Sequence, residues 1–127
     1  MMIVGIGIDI CRADRIEKAC ERSGERFISR ILTVSERDYC FGKKEPWESF
    51  AARFAVKEAA FKALGRGWDA SGGFTSVEVV SDENGKPSII FHGIAREFAD
   101  ALGVTSSFVS LTHDSGVSAA VVVLEAG

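Results

Sequence analysis

Alternating apolar positions predict a first β-strand from Ile3 to Ile10. The even-numbered positions of this strand are all aliphatic and share one face, whereas the opposite face carries Gly5, Gly7 and Asp9. Glycines inside a strand often mark the close approach of a ligand or of another backbone. A carboxylate at the end of such a bare face is placed to bind a hard cation. A strand packed tightly against a helix, with Asp9 as a helix cap, explains the same pattern equally well.

Helical patterns follow this strand, each with its own start or stop signal. The shorter ones are a helix from Arg15 to Arg22 that Asp14 caps and Ser23-Gly24 ends, a helical turn from Phe27 to Leu32, and a short helix whose capping box pairs Ser35 with Asp38. The longest helix is predicted from Glu48 to Leu64, because Pro46 favours its start and Gly65 its end.

The long helix has two apolar stripes, which predict that it is largely buried. One stripe is aromatic and consists of Phe50, Phe54 and Phe61. Roughly opposite lies a stripe of small residues, Ala52, Val56, Ala59 and Ala63. Small residues allow another backbone to come close, in the core or at a subunit interface. Glu58 and Lys62 stand one turn apart between the stripes. A solvated ion pair is the commoner reason for this spacing, whereas a buried pair needs a partner or a ligand.

The second half of the chain predicts two hairpins separated by a helix. Its elements are strands Phe74 to Val80 and Ser88 to Phe91 around a tight Asn84-Gly85 turn, an amphipathic helix from Gly93 to Leu102 closed by Gly103, and strands Phe108 to His113 and Val117 to Leu124. The order of elements predicts one α+β domain over residues 1–127 with a mostly antiparallel sheet.

Composition narrows the class of protein. The formal net charge of -3 argues against a general nucleic-acid binder, which usually carries a basic excess. Cys11, Cys20 and Cys40 have no paired spacing, so we expect neither disulfides nor a zinc site, and a reducing compartment. The first residues lack the basic segment of a signal peptide, and no apolar run approaches the roughly 20 residues that span a membrane. We therefore expect a cytoplasmic protein that does not enter the membrane.

Four motifs occur in a fixed order along the chain. They run from Gly5 to Ile10 with Arg15-Ile16 following, from Arg53 to Gly65, from Asn84 to Pro87, and from Val109 to His113. Together they resemble the holo-acyl-carrier-protein synthases, the small bacterial class of 4′-phosphopantetheinyl transferases. The resemblance covers nearly the whole chain, and the motif from Arg53 to Gly65 is its most specific part.

The resemblance implies a defined reaction that supports fatty acid biosynthesis. A serine of an apo acyl carrier protein attacks the phosphorus of coenzyme A that bears pantetheine, and adenosine 3′,5′-bisphosphate leaves. At the positions of Asp9 and Glu58, the family has carboxylates that hold Mg²⁺ against the pyrophosphate. Attack on phosphorus needs charge neutralisation and in-line positioning, and Lys62 stands one turn from Glu58, within reach of the same phosphates. The proton acceptor is Glu58, a water held by it, or unprotonated Lys62, and we favour Glu58.

The resemblance also implies which residues bind coenzyme A. The adenosine side is expected at Asn84, Gly85, Lys86 and Pro87, the 3′-phosphate at His113, and further contacts at Arg53, Lys57, Lys62 and Gly65. Asn84-Gly85 is equally typical of a hairpin turn, and Arg53 and Lys57 are equally compatible with solvated ion pairs. Arg66 stands where the family often has a small hydroxyl residue, so that binding role is not transferred.

Partners follow from the same resemblance. Acyl carrier proteins are acidic, and carrier docking is expected at Arg15, Arg22, Arg26 and Phe27, where a basic patch would steer such a partner. The family forms trimers with active sites between subunits, so a homotrimer is expected. Two other functions fit the residues alone: a different Mg²⁺-dependent phosphotransfer enzyme acting on a nucleotide, and a non-catalytic α+β binding module.

Overall fold

The computed structural model describes all 127 residues. Along the chain it has strand β1 (Met2–Arg12), helices α1 (Ala13–Ser23), α2 (Glu25–Ile31), α3 (Val34–Phe41) and α4 (Trp47–Leu64), a 3₁₀ turn (Phe74–Ser76), strands β2 (Val77–Ser81) and β3 (Pro87–Phe91), helix α5 (Gly93–Ala101), and strands β4 (Val104–Asp114) and β5 (Val117–Ala126). None of the helices combines the length and the apolar character needed to cross a membrane.

Two antiparallel sheets organise these elements. The larger sheet has the strand order β1-β5-β4, and the smaller one is the β2-β3 hairpin. In the larger sheet, Met2 pairs with Ala126 at one end of β1 and Arg12 pairs with Val117 at the other. Helix α4 packs across this sheet and its buried residues form the centre of the hydrophobic core. The α+β class with antiparallel sheets is therefore confirmed.

The two glycines of β1 lie against the small residues of α4. A Cβ atom added to Gly7 would stand 1.8 Å from the carbonyl oxygen of Ala59, and one added to Gly5 would stand 1.9 Å from that of Ala63. Because real Cβ atoms never approach a backbone oxygen so closely, only glycine fits at either position. The small-residue stripe of α4 thus belongs to the core of this chain, where it receives β1.

The aliphatic face of β1 points away from α4. Ile6, Ile8 and Ile10 are each 60–64% exposed, and they continue across the sheet through Val121 and Val123. Phe108 on β4 pairs with Val123 on the same face and is 55% exposed. The larger sheet therefore has one face in the core and one apolar face with no partner in this chain.

Two predicted helix caps are wrong. Asp14 lies in the first turn of α1, where its Oδ2 accepts a hydrogen bond of 2.9 Å from Arg12, and Arg12 occupies the N-cap position. The capping box of α3 pairs Thr33 with Glu36, two residues before the predicted pair. Short polar residues are so frequent around helix starts that spacing alone selected the wrong ones.

The hairpin turns and strand ends also differ from the predictions. The β2-β3 loop spans residues 82–86, and the Asp82 carboxylate organises it by accepting from the N–H groups of Asn84 and Lys86. Gly85 alone has a positive φ, so the loop is not the two-residue turn expected at Asn84-Gly85. Phe74–Ser76 forms the 3₁₀ turn instead of strand, and β4 begins at Val104 instead of Phe108.

Candidate active site

The end of β1 and the C-terminal half of α4 bring three predicted site residues together. The ammonium of Lys62 donates to Asp9 Oδ1 at 3.1 Å and to the carbonyl oxygen of Ile8 at 3.0 Å. Glu58 precedes Lys62 by one turn of α4 and is partly buried. The glycine contacts hold β1 against the helix, so Asp9 lies directly beside this turn. The result is a cluster of two carboxylates and one cation.

Electrostatic effects on Glu58 reflect this crowding. Burial raises the pKa of Glu58 above its ordinary value, and the nearby charge of Asp9 raises it further, whereas Lys62 and Arg15 lower it. Two carboxylates in one site repel each other, and a cation placed between them relieves that repulsion. Asp9 and Glu58 therefore form a donor set that suits a hard divalent cation completed by phosphate and water oxygens. No group of three or more His, Cys, Asp or Glu side chains in the chain is arranged for a metal ion.

A cleft of about 260 Å³ opens from this cluster towards the residues after α4. Its lining consists of Glu58, Phe61, Lys62, Gly65, Arg66, Gly67 and Trp68. Gly65 ends α4 with a left-handed backbone (φ 74°), which turns the chain so that residues 65–68 form the wall of the cleft. Arg66, left without a role by the sequence, stacks 4.7 Å from the centroid of the Phe98 ring. We call this space the Trp68 cleft.

The predicted adenosine-side residues meet elsewhere, in a second cleft of about 320 Å³ near the start of α4. This cleft is lined by Arg53, Gly85, Pro87 and His113 together with Tyr39, Lys43 and Glu48, among others, and we call it the Tyr39 cleft. His113 Nδ1 lies 3.3 Å from Glu48 Oε1. Asn84 and Lys86 are exposed in the adjoining loop but do not line the cleft.

The guanidinium of Arg53 is the most enclosed cation of the Tyr39 cleft. Its residue is 4% exposed, and its carbon Cζ stacks 4.0 Å from the centroid of the Tyr39 ring. One terminal nitrogen lies 3.4 Å from Ser49 Oγ, and Nε has no hydrogen-bond partner. Lys43 lies over the same ring at 4.7 Å. Tyr39 and Ser49 were not predicted from the sequence, because neither belongs to a motif that marks a binding site.

The two clefts share no lining residue. Arg53 and Lys62 are nine residues apart on α4, which corresponds to about 13 Å along a helix. The residues predicted to bind the two ends of one ligand are therefore divided between two places on the same subunit.

Lys57 does not belong to either cleft, which corrects the prediction that it contacts coenzyme A. Its side chain is completely buried and its ammonium donates to Glu36 Oε1 at 2.8 Å, to the carbonyl oxygen of Phe74 at 3.1 Å and to that of Val77 at 2.5 Å. Burial lowers the pKa of Lys57, whereas Glu36 raises it. All three N–H donors are thus used inside the protein, and none remains for a phosphate.

A basic groove of about 320 Å³ runs along α1, lined by Arg12, Asp14, Arg15, Lys18 and Arg22. Arg15 reaches from this groove to within 5.7 Å of the Phe54 ring on α4. Arg26 is exposed on α2. The ring of Phe27 stacks on Phe50 at 5.7 Å and is only partly exposed, so most of its surface serves the core.

Comparison with known proteins gives concordant matches over nearly the whole chain. Residues 5–122 match the family described as the 4'-phosphopantetheinyl transferase superfamily. A holo-[acyl-carrier-protein] synthase of Solibacter usitatus is 43% identical over 124 residues (98% of this chain and 99% of the relative). One of Solidesulfovibrio magneticus is 48% identical over 124 residues, with the same shares.

Solved structures agree with these matches. The crystal structure of holo-[acyl-carrier-protein] synthase from Neisseria meningitidis superposes with a TM-score of 0.89 at 31% identity, covering 98% of this chain and 99% of that one. The Helicobacter pylori enzyme in complex with coenzyme A superposes with a TM-score of 0.83 at 35% identity, covering 94% of this chain and 99% of that one. Fold and sequence thus point to the same group of proteins.

Proposed function

Because the chain belongs to the 4'-phosphopantetheinyl transferase superfamily, we propose that Asp9, Glu58 and Lys62 form the centre at which it transfers the 4′-phosphopantetheine group of coenzyme A to a serine of apo acyl carrier protein. The single observation that carries this proposal is the convergence of a strand-end carboxylate, a helix carboxylate and an ammonium beside an open cleft. Phosphoryl transfer depends on neutralising charge and on positioning, and this cluster supplies groups for both.

Asp9 and Glu58 are the residues that would hold Mg²⁺, with substrate phosphates and waters as the remaining ligands. When bound there, Mg²⁺ offsets the negative charge of the pyrophosphate. Lys62 supports the same function from the chain itself, since its ammonium lies 3.1 Å from Asp9 and can turn towards a phosphate oxygen. Support for the metal comes from the donor set and from the family resemblance.

Glu58 is proposed as the acceptor of the serine proton. The serine oxygen forms a bond to the phosphorus that bears pantetheine, the bond from this phosphorus to the bridging oxygen breaks, and adenosine 3′,5′-bisphosphate leaves. The proton passes to the Glu58 carboxylate. Lys62 is a poorer candidate because its side-chain nitrogen is already engaged as a donor to Asp9 and to the Ile8 carbonyl.

The complete site is proposed to form between subunits of a homotrimer. Adenosine and its 3′-phosphate would bind in the Tyr39 cleft of one subunit, at Arg53, Gly85, Pro87 and His113, while the pyrophosphate meets the Asp9–Glu58–Lys62 cluster of a neighbour. The division of the predicted contacts between two clefts supports this arrangement. A further support is the free apolar face of the larger sheet, since exposed patches of this kind mark interfaces. The number three rests on the family resemblance.

The basic groove along α1 is proposed to dock the acidic carrier. Four of its five side chains are cationic. The charge of Arg15 also lowers the pKa of Glu58, which links the groove to the Asp9–Glu58–Lys62 cluster. Such a groove raises the rate of encounter with an acidic partner. Arg26 extends the positive surface onto α2, and Phe27 contributes only the exposed rim of its ring.

Two broader proposals accompany this function. The chain is one domain, which is supported by the single cluster of 25 buried hydrophobic residues that joins all five helices with strands of both sheets. Its activity belongs to the cytoplasm and to fatty acid biosynthesis, which is supported by three free cysteines, all buried, and by the carrier substrate.

A direct assay tests the transfer. The purified chain is incubated with coenzyme A, Mg²⁺ and several apo carriers, and the carriers are weighed by mass spectrometry. We expect a gain of one phosphopantetheine group on a serine. Glu58→Gln and Asp9→Asn should each lower turnover at least ~100-fold, equivalent to about 2.7 kcal/mol of barrier. Glu97→Gln, a matched change on the exposed surface of α5, should leave turnover unchanged.

The outcomes of this assay separate the competing functions. No mass gain on any carrier, together with Mg²⁺-dependent turnover of another nucleotide, would favour a different phosphotransfer enzyme. Ligand binding that is indifferent to Mg²⁺ and to Glu58→Gln would favour a binding module. Near-normal turnover in either carboxylate variant would remove that residue from the catalytic cluster.

Carrier docking has its own test. Arg22→Glu is preferred to Arg15→Glu because the charge of Arg15 also acts on Glu58. The substitution should raise the KM for the carrier at least about tenfold and leave the KM for coenzyme A unchanged. Arg96→Glu reverses one charge on α5 as the matched control. Equal effects of the two substitutions would contradict docking in the groove.

A further inference from the structure

Helix α3 has little apolar surface that could hold it against the rest of the chain. Of its eight residues, only Glu36 and Cys40 are buried. Tyr39 is 40% exposed, and Phe41, at 39%, meets the rings of α4 only edge-on. Helices in proteins are stabilised mainly by the packing of an apolar face. The position of α3 therefore depends largely on its polar contacts.

These polar contacts are concentrated at the first turn of α3. The buried Glu36 carboxylate accepts from Lys57 on α4 at 2.8 Å through Oε1, and from the N–H of Val79 on β2 at 2.8 Å through Oε2. Glu36 thus ties the helix to two neighbours, but at a single point. A helix held at one point near its start can still pivot, and its far end then moves most.

Glu78 on β2 supplies a second point of attachment. Its Oε2 accepts hydrogen bonds at the start of α3, from Thr33 Oγ1 at 2.8 Å and from Ser35 Oγ at 2.7 Å. Its Oε1 lies 2.9 Å from Nε2 of His92. The bonds from Ser35 and His92 lower the pKa of Glu78 to about 2, so this group is a carboxylate at neutral pH. Glu78 lines neither the Trp68 cleft nor the Tyr39 cleft.

The far end of α3 reaches the Tyr39 cleft. Tyr39 and Lys43 belong to the lining, and the Tyr39 ring lies 4.0 Å from the guanidinium carbon of Arg53. Strand β2, which carries Glu78, ends at Ser81 in the lining of the same cleft. Glu78 therefore connects a helix and a strand that both contribute to this cleft.

We propose that Glu78 is a positioning residue for coenzyme A: by holding the first turn of α3, it keeps Tyr39 and Lys43 in place in the Tyr39 cleft. This inference rests on the proposed function, which places the adenosine end of coenzyme A in that cleft. A preorganised site binds more tightly, because less conformational freedom is lost on binding. Removal of Glu78 weakens the binding of the adenosine end and leaves the chemical step unchanged.

The test separates binding from turnover in Glu78→Ala. We expect the KM for coenzyme A to rise about fivefold, and the inhibition constant of adenosine 3′,5′-bisphosphate to rise by the same factor, since both ligands carry the adenosine end. The kcat should stay within twofold and the KM for the carrier should not change. An unchanged KM for coenzyme A in the folded variant, or a fall in kcat alone, would overturn the proposal.

Three further variants show whether the effect passes through α3. Thr33→Val combined with Ser35→Ala removes the same bonds from the helix side and should raise the KM for coenzyme A as Glu78→Ala does, even if Glu78→Ala does not fold. Glu78→Gln should restore most of the affinity, because hydroxyl groups can both donate to and accept from an amide. His92→Ala removes only the partner of Oε1 and should leave the KM unchanged. An equal rise in His92→Ala would contradict an action through α3.

A measurement without turnover observes α3 directly. Tyr39 is the only tyrosine of the chain, so the NMR signals of a labelled tyrosine ring report the far end of this helix. These signals should shift or broaden in Glu78→Ala and remain unchanged in His92→Ala. Unchanged signals in both variants would overturn the proposal. Failure of the unsubstituted chain to modify any carrier would instead refute the proposed function.

Discussion

At the scale of single residues, two lysines on α4 have opposite environments. Lys57 is fully buried, and Glu36 and two carbonyl oxygens take all of its donors. Lys62 is half exposed and pairs with Asp9 at the mouth of a cleft. One lysine therefore stabilises the fold, and the other is available to substrate.

Substitution by methionine should separate these roles. Lys57→Met leaves the Glu36 carboxylate buried without its cation, so we expect a loss of about 3–5 kcal/mol in the free energy of unfolding. Lys62→Met should change it by less than about 1 kcal/mol and greatly reduce turnover. Urea unfolding and the carrier assay measure the two effects. A similar stability for both variants would contradict the assignment.

The proximity of Asp9, Glu58 and Lys62 could be predicted from the sequence, whereas the surroundings of several other residues could not. Asp9, Glu58 and Lys62 lie where the motifs indicated, because strand alternation and helix periodicity fix the faces of their elements. The position of Lys57 on the helix does not distinguish it from a surface lysine. Its burial depends on the ion pair with Glu36, which is distant in sequence. Trp68 follows the helix in a loop, where no periodic pattern predicts its direction.

At the scale of elements, the contact between β1 and α4 determines the site. Gly5 and Gly7 allow the strand to touch the carbonyl oxygens of Ala63 and Ala59, and this contact brings Asp9 to Lys62. The sequence indicated that the glycine face meets something close, and left open whether this was a ligand or a helix. The choice depends on how the elements pack, which the glycines themselves do not encode.

A single methyl group should disrupt this contact. In Gly7→Ala the new Cβ would lie 1.8 Å from a backbone oxygen of α4, so the strand must move. We expect the free energy of unfolding to fall by on the order of 1–3 kcal/mol or more, as for overpacked cores. Turnover should fall by more than this loss of stability explains. In the control Gly67→Ala, the Cβ meets only the flexible end of Asp69. Thermal unfolding compares the two, and equal melting temperatures would contradict the close packing.

At the scale of the whole molecule, the two clefts and the free sheet face all bear on whether the active site is shared between subunits. The strands that carry the free face also carry residues of both half-sites on their opposite side, since Asp9 alternates with Ile8 and Ile10 on β1, and His113 follows Thr112 on β4. The sequence predicted shared sites only through the family resemblance. The small-residue stripe of α4, which the sequence offered as a possible interface, is instead covered by β1 within the chain.

Mixing two inactive variants tests whether the site is shared. Glu58→Gln removes one carboxylate of the Asp9–Glu58–Lys62 cluster, and His113→Ala alters the Tyr39 cleft. Each variant alone should therefore have reduced turnover. Co-refolded, they should recover activity, because some interfaces combine two intact halves. A mixture as inactive as its components would place both halves within one subunit.

The size of the assembly is measured by light scattering. Ile8→Lys on the free face should yield monomers. Ile90→Lys, a matched change at an exposed isoleucine on β3, should not alter the size. An unchanged assembly in Ile8→Lys would exclude this face as the interface.

The pairing of β1 with β5 also affects how the protein folds. Residues 2 and 126 are paired, so the strand that carries Asp9 finds its neighbour only after almost all of the sequence has been synthesised. Contacts of such sequence separation are slow to form, because a long loop must close first. During translation α4 emerges after β1 but before β4 and β5, so the larger sheet that packs on it is incomplete, and chaperones have the opportunity to bind its apolar face until the last strand arrives.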